Sequence, residues 1–167
     1  MDKEKNLRLK KDDNDRYGYV EENDNWVIEP RFDHAGEFYE EGIAIVIQDG
    51  KYGYIKTDGT YLVEPKLDYA DGFEDGIAKV KLEGKYGYIK TDGTYLFEPK
   101  FEDAYGFSEG IAVVEKDGKY GYIKTDGTYL VEPKFDYADD FVDGKAMVEL
   151  DEKPGYILSD GTYHAEE

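Results

Sequence analysis

The chain has 167 residues, a formal net charge of −19, 17 Tyr and 19 Gly, but only 2 Met and no Cys. The charge excludes nucleic acid and disfavours an anionic membrane surface, whose phosphates would be repelled at every approach. Absence of Cys removes disulfides, thiolate nucleophiles and sulfur-ligated metals together.

Residues 1–16 read as a charged arm with a cap strand around Leu7 and Leu9. They contain no apolar signal segment, and no apolar run reaches membrane-spanning length. The chain as given therefore reads as cytoplasmic, with secretion through a cleaved signal as the alternative. Acidic residues are spread along the sequence rather than gathered in a tail, which points to a solvated, self-repelling surface.

From Tyr17 onward one unit recurs. The string KYGYIKTDGTYLVEPK stands at 51–66 and 119–134 unchanged, and at 85–100 with Phe97 in place of Val. Tyr-Gly-Tyr begins at Tyr17, Tyr52, Tyr86 and Tyr120, and a fifth copy reads Pro154-Gly155-Tyr156. The spacing is 35 residues once and 34 thereafter. The extra residue of the first unit falls where Tyr39-Glu40-Glu41 replaces a spacer such as Glu74-Asp75. The units are therefore 17–51, 52–85, 86–119, 120–153 and a partial 154–163, with a polar tail at 164–167.

A 34-residue period also suits helical repeats, so the local pattern must decide. In Ile77–Leu82, Ala78, Val80 and Leu82 alternate onto one face; Ala112 with Val114, and Ala146 with Val148, repeat it. A Gly84-Lys85 turn leads to a second strand, Tyr86–Lys90, and Asp92-Gly93 turns the chain into a third, Tyr95–Phe97. Glu98-Pro99 is expected to end that strand, since proline cannot donate to a ladder. No helix survives a Gly every few residues and a Pro per unit. The connector, Lys66 to Gly76, reads as a short 3₁₀ or single-turn helix that packs Phe73 onto the sheet. Phe38, Phe107 and Phe141 take the same place and are expected to plug successive meanders together.

The motif Tyr-Gly-Tyr-Ile-x-x-x-Gly-x-Tyr-Leu-Val-x-Pro-x-Phe-x-x-Ala-x-x-Phe-x-x-Gly-x-Ala-x-Val resembles the WG β-repeat family of bacterial proteins, over residues 17–163. It departs at the eponymous position: Tyr17, Tyr52, Tyr86, Tyr120 and Pro154 stand where the family usually has Trp. The only tryptophan, Trp26, occupies the place of Tyr61, Tyr95 and Tyr129. The resemblance implies a repeat architecture and interaction roles, with no shared catalytic residues to carry over.

Catalysis needs a unique constellation, and this chain offers copies. His34 and His164 lie far apart, and His34 reads as surface variation where other units have Tyr69 or Tyr137. Ser108 and Ser159 sit in turn-like positions without a nucleophile elbow. Carboxylates such as Asp71, Glu74 and Asp75, or Asp139, Asp140 and Asp143, recur in every unit and read as solvated connectors rather than a working pair. Calcium is the rival reading for those turns, but the EF-hand spacing is absent. No cofactor or metal is expected.

Candidate binding residues are Tyr17, Tyr52, Tyr86 and Tyr120 in the second strand and Trp26, Tyr61, Tyr95 and Tyr129 in the third. Tyr is enriched at interfaces and stacks on peptides or sugars. Phe38, Phe73, Phe107 and Phe141, together with Gly53, Gly87, Gly121, Pro65, Pro99 and Pro133, form the structural core of the repeat. The expected fold is all-β: stacked three-stranded antiparallel meanders in an open, solenoid-like array, with a small closed five-bladed ring as the alternative. The expected function is a non-catalytic scaffold for a protein partner. The alternatives are a carbohydrate-binding surface module and a consensus-designed repeat with no natural ligand.

Overall fold

The computed structural model describes residues 7–39 and 41–166. It is all-β, with five antiparallel sheets and no helix among the described residues. Sheet 1 holds β1 (Arg8–Lys11), β2 (Tyr17–Val20) and β3 (Trp26–Phe32). Sheet 2 holds β4 (His34–Ala35), β5 (Ile43–Gln48), β6 (Lys51–Lys56) and β7 (Tyr61–Leu67). Sheet 3 holds β8 (Tyr69–Ala70), β9 (Ile77–Leu82), β10 (Lys85–Lys90) and β11 (Tyr95–Phe101). Sheet 4 holds β12 (Asp103–Ala104), β13 (Ile111–Lys116), β14 (Lys119–Lys124) and β15 (Tyr129–Phe135). Sheet 5 holds β16 (Tyr137–Ala138), β17 (Lys145–Leu150), β18 (Lys153–Leu158) and β19 (Tyr163–Ala165). Within each sheet the strands lie in chain order.

The chain divides into two compact units. One comprises the residues up to Glu83 with Ile89–Thr94, the other Gly84–Tyr88 with the residues from Tyr95 onward. In the first, Leu7, Tyr19, Ile28, Phe32, Ala44, Val46 and Ile55 form a buried cluster. In the second, Ile111, Val113, Tyr122, Phe135, Phe141, Ala146, Val148 and Ile157 do so. On the face read from the sequence Ala78, Val80, Ala112, Val114, Ala146 and Val148 are buried and Leu82 is half-buried, while in β13 Ile111 and Val113 on the other face are buried as well.

Two local expectations are corrected. Among the described residues the connectors contain no helical turn. Each opens with a two-residue strand that joins the edge of the next sheet, as Tyr69 and Ala70 pair with Lys81 and Val80. The last three close with a tight hairpin, as where Glu74 and Ile77 exchange both backbone hydrogen bonds. Asp75 and Gly76 between them have φ of 49° and 79°, the signature of a two-residue type I′ turn. Two left-handed residues in a row are incompatible with a right-handed 3₁₀ turn, so the turn chemistry overrides the three-residue spacing of Ala70 and Phe73. The meander of three thereby gains a short fourth strand. The added spacer residue Glu40 of the first unit lies outside the described residues.

Proline does not end the third strand either: β7, β11 and β15 run through Pro65, Pro99 and Pro133. The register explains the tolerance. Tyr52 faces Leu67 while Tyr54 faces Val63, so two steps on β6 match four on β7, and Pro65 lies in the resulting bulge. That bulge presses on the glycine of Tyr-Gly-Tyr. A Cβ on Gly53 would stand 2.7 Å from the Val63 carbonyl oxygen and 2.8 Å from the Pro65 nitrogen.

At the opposite hairpin of sheet 5, Asp151 and Glu152 have φ of 53° and 61°, where the other repeats place Gly in the second position. A left-handed residue with a Cβ costs about 1 kcal/mol that glycine escapes. Glu152→Gly should therefore raise the melting temperature by an amount corresponding to roughly 1 kcal/mol. An unchanged or lowered melting temperature would contradict a strained turn.

Candidate functional site

Each Tyr-Gly-Tyr segment splits its two tyrosines between different environments. The second, Tyr19, Tyr54, Tyr88 or Tyr122, is at most 1% exposed. Its ring packs on the connector phenylalanine: Tyr19 on Phe38 at 4.7 Å, Tyr54 on Phe73 at 5.0 Å, Tyr88 on Phe107 at 5.3 Å and Tyr122 on Phe141 at 5.1 Å. Its hydroxyl donates to a connector carbonyl: Gly36 at 2.7 Å, Asp71 at 2.6 Å, Tyr105 at 2.5 Å and Asp139 at 2.8 Å. A buried hydroxyl without an acceptor is costly, so this bond fixes how the connector lies. Each of the four phenylalanines thus packs on the second tyrosine of the preceding Tyr-Gly-Tyr segment.

Burial pushes the Tyr19, Tyr54 and Tyr122 hydroxyls well above the usual tyrosine range, with nearby carboxylates adding to the shift. The fold therefore favours their neutral form. That contribution is complete below the unfolded tyrosine value of about pH 10 and is lost as pH rises toward the higher folded values. An alkaline titration followed by absorbance should show part of the 17 tyrosines ionising only as the chain unfolds. Ionisation of all of them near pH 10 with the fold intact would sink this assignment.

The first tyrosine of each pair, Tyr17, Tyr52, Tyr86 or Tyr120, is half-buried and keeps an open edge. Tyr17 lies 6.1 Å from the exposed His34 ring and 4.7 Å from the Lys11 ammonium. Tyr52 lies 5.7 Å from the ring of Tyr69, whose hydroxyl donates to the Asp71 carboxylate. In the second unit Tyr137 donates likewise to Asp139, and this bond raises its pKa first, with the charges of Asp139 and Asp140 and nearby Tyr120 contributing. The recurring element is a connector tyrosine whose hydroxyl donates to a carboxylate two residues away.

The third-strand candidates are half-buried and contribute to packing. Tyr61 meets Phe32 edge-on at 6.3 Å, with the Arg31 guanidinium 5.2 Å above it, and its hydroxyl donates to Gln48. Tyr129 meets Phe97 and Phe101 edge-on at 5.7 and 6.3 Å, with Lys100 at 5.3 Å. Trp26 has the Lys10 ammonium 5.7 Å above it, and burial raises the Tyr95 hydroxyl.

Sequence reasoning passed over the most exposed aromatics. Tyr39, Tyr69, Tyr105 and Tyr137 are each 39–51% exposed and belong to the connectors. Alternation could have found two of them, since Tyr69-Ala70 and Tyr137-Ala138 are strand pairs that turn the alanine inward. Among the described residues no three of His, Asp and Glu come together to hold a metal. Ser108 donates its hydroxyl to the Phe141 carbonyl, and His164 stacks on Tyr156 at 4.9 Å.

The sequence matches the model of the WG containing repeat at residues 17–52, 52–86, 86–120 and 120–153. No curated protein matches it. Similar solved structures include a eukaryotic initiation factor, with 10% identity, a TM-score of 0.48, and 95% of this chain and 51% of that chain covered. Hsv2 of Kluyveromyces lactis matches with 9% identity, a TM-score of 0.46, and 95% and 59% covered. PorZ, a bacterial surface component of the type-IX secretion system of Porphyromonas gingivalis, matches with 10% identity, a TM-score of 0.44, and 96% and 24% covered. The chain spans less than two thirds of the length of each of these three.

Proposed function

The chain belongs to the WG containing repeat family, and from that premise we propose that it is a non-catalytic scaffold that holds a protein partner on a surface spanning several repeats. The observation that carries this reading is the recurrence of half-exposed and exposed tyrosines beside carboxylates, as in Tyr52, Tyr69 and Asp71, and again in Tyr137 and Asp139. Tyrosine presents a large rigid surface at low entropic cost, and the carboxylates supply acceptors for the partner's donors. Nothing observed favours chemistry of the nucleophilic or two-carboxylate kind: Ser108 is engaged with the Phe141 carbonyl, and Asp71 and Asp139 accept from Tyr69 and Tyr137.

The same aromatic-and-acid pairing also favours a second reading, a glycan that stacks on tyrosine and donates hydroxyls to Asp71 or Asp139. One experiment separates the two. The immobilised chain and its Tyr52→Ser, Tyr69→Ser, Tyr120→Ser, Tyr137→Ser variant are exposed in parallel to a lysate of the source organism and to a glycan panel. A protein retained by the chain and lost from the variant, at equal melting temperature, supports the scaffold. Retention of glycans alone moves the function to carbohydrate. A protein held equally by both would remove the tyrosine surface from consideration.

A further inference from the structure

We propose that Tyr120 and the cross-strand neighbours Glu115 and Asp103, with Tyr105 beside them, form a seat on sheet 4 for an arginine side chain of the protein partner. The proposal rests on the scaffold reading and names the chemistry of partner that this tyrosine surface selects.

Strand register builds the seat. Asp103 on β12 faces Glu115 on β13, and Glu115 faces Tyr120 on β14, so the three side chains share one face. All three are half-buried. Tyr105 is 41% exposed and leans onto this row, its hydroxyl donating to the Asp103 carboxylate at 3.3 Å. Burial raises the Tyr105 hydroxyl first, and Asp103, Tyr120 and Glu115 add to the shift, as groups gathered in one place do.

Two carboxylates facing each other across a ladder repel. Among the sheets with a short edge strand, sheet 4 alone accepts this arrangement: the equivalent pairs are His34 with Ile47, Tyr69 with Lys81 and Tyr137 with Glu149. Among the described residues neither Asp103 nor Glu115 has a lysine or arginine at ion-pair distance. The cations of the surrounding strands are engaged elsewhere: Lys85 with Glu102, Lys119 with Asp136, Lys124 with Asp126, and Lys100 over the Tyr129 ring. The first compact unit shows what this place accepts. There Lys11 faces Tyr17 as Glu115 faces Tyr120, and the Lys11 ammonium lies 4.7 Å from the tyrosine ring. Sheet 4 presents the same aromatic face with the neighbouring charge reversed, so its complement is a cation brought by another chain.

Arginine suits the seat better than lysine. A guanidinium is planar, so its fork can meet two carboxylates while its face stacks on a tyrosine. The chain itself uses such stacking, with the Arg31 guanidinium 4.9 Å from Phe32 and 5.2 Å from Tyr61. A lysine ammonium is more strongly hydrated and meets the two acids only as a point charge.

The test titrates the full chain, followed by NMR, with blocked Ala-X-Ala peptides in which X is arginine, lysine or citrulline, the uncharged isostere of arginine. The arginine peptide should give saturable shifts at the amides of Tyr105, Glu115 and Tyr120. Lysine should bind several-fold more weakly, and citrulline should not bind. The Asp103→Asn, Glu115→Gln double variant should weaken the arginine peptide about tenfold or more. Its melting temperature should be unchanged or higher, because a repulsion is removed. If the double variant alters folding, Glu115→Gln alone should still weaken binding several-fold. Equal binding of citrulline or lysine, or undiminished binding by the variants, would overturn the proposal. The double variant also separates the seat from the scaffold reading. A lysate protein lost from the four-tyrosine variant but held in full by the double variant would overturn the seat and leave the scaffold standing. Selective arginine binding by a chain that retains no lysate protein would sustain the seat and remove the scaffold reading.

Discussion

Gly121→Ala is expected to destabilise the second compact unit by about 3 kcal/mol or more, near or beyond the upper end of ordinary overpacking. The added Cβ would lie 2.6 Å from the Pro133 nitrogen, 2.7 Å from the Val131 carbonyl oxygen and 2.8 Å from the Pro133 Cα. All three are backbone atoms of β15, so no side chain can swing aside, and relief requires β14 and β15 to separate at their bulge. Two controls isolate the cause. Gly118→Ala meets nothing within 4 Å but has φ of 71°, so it should cost about 1 kcal/mol through strain alone. Gly106→Ala meets nothing within 4 Å and carries no such φ, so it should be close to neutral. Chemical denaturation of the three variants decides the matter. If Gly121→Ala proves no worse than Gly118→Ala, the bulge does not press on the glycine as described.

The second large effect is at Tyr122. Tyr122→Ala should cost about 3–5 kcal/mol, because a fully buried ring packed against Phe135 and Phe141 is lost. Tyr122→Phe separates the hydroxyl from the ring. It keeps the stacking on Phe141 but strands the Asp139 carbonyl, and should cost about 1–2 kcal/mol. The ordering Ala far below Phe, and Phe measurably below the parent in denaturant, is the expected result. Equality of Tyr122→Phe with the parent would mean that the hydroxyl does not anchor the connector. The same substitution at Tyr52, half-buried on the outer row, should move stability little.

The architecture was legible because the repeat writes its rules several times. Ala78 with Val80, Ala112 with Val114 and Ala146 with Val148 declare the buried face of the first strand by period-two alternation. The Asp-Gly turns and the connector phenylalanines were legible for the same reason, since a hydrophobic residue recurring at a fixed place in polar surroundings must have somewhere to go. What misled was reading proline and spacing in isolation. Pro65 and Pro133 suggest a strand end only until the bulge opposite Gly53 and Gly121 supplies a place where no ladder amide is needed. Ala70 and Phe73 suggest a helical turn only until Asp75 and Gly76 take left-handed conformations that close a hairpin instead.

For the candidate surface the division is sharper. The amino-acid order alone determined that two tyrosines one residue apart share a face, because side chains alternate along a strand. It determined neither which of the two is covered nor that His164 would stack on Tyr156. The covering depends on chain seventeen to nineteen residues further on: the Tyr54 hydroxyl reaches the Asp71 carbonyl, and the Tyr122 ring meets Phe141, only after the connector has folded back. Burial is a property of what arrives from elsewhere in the chain. It is why Tyr122 is sealed beneath a connector that only the tertiary structure brings to it.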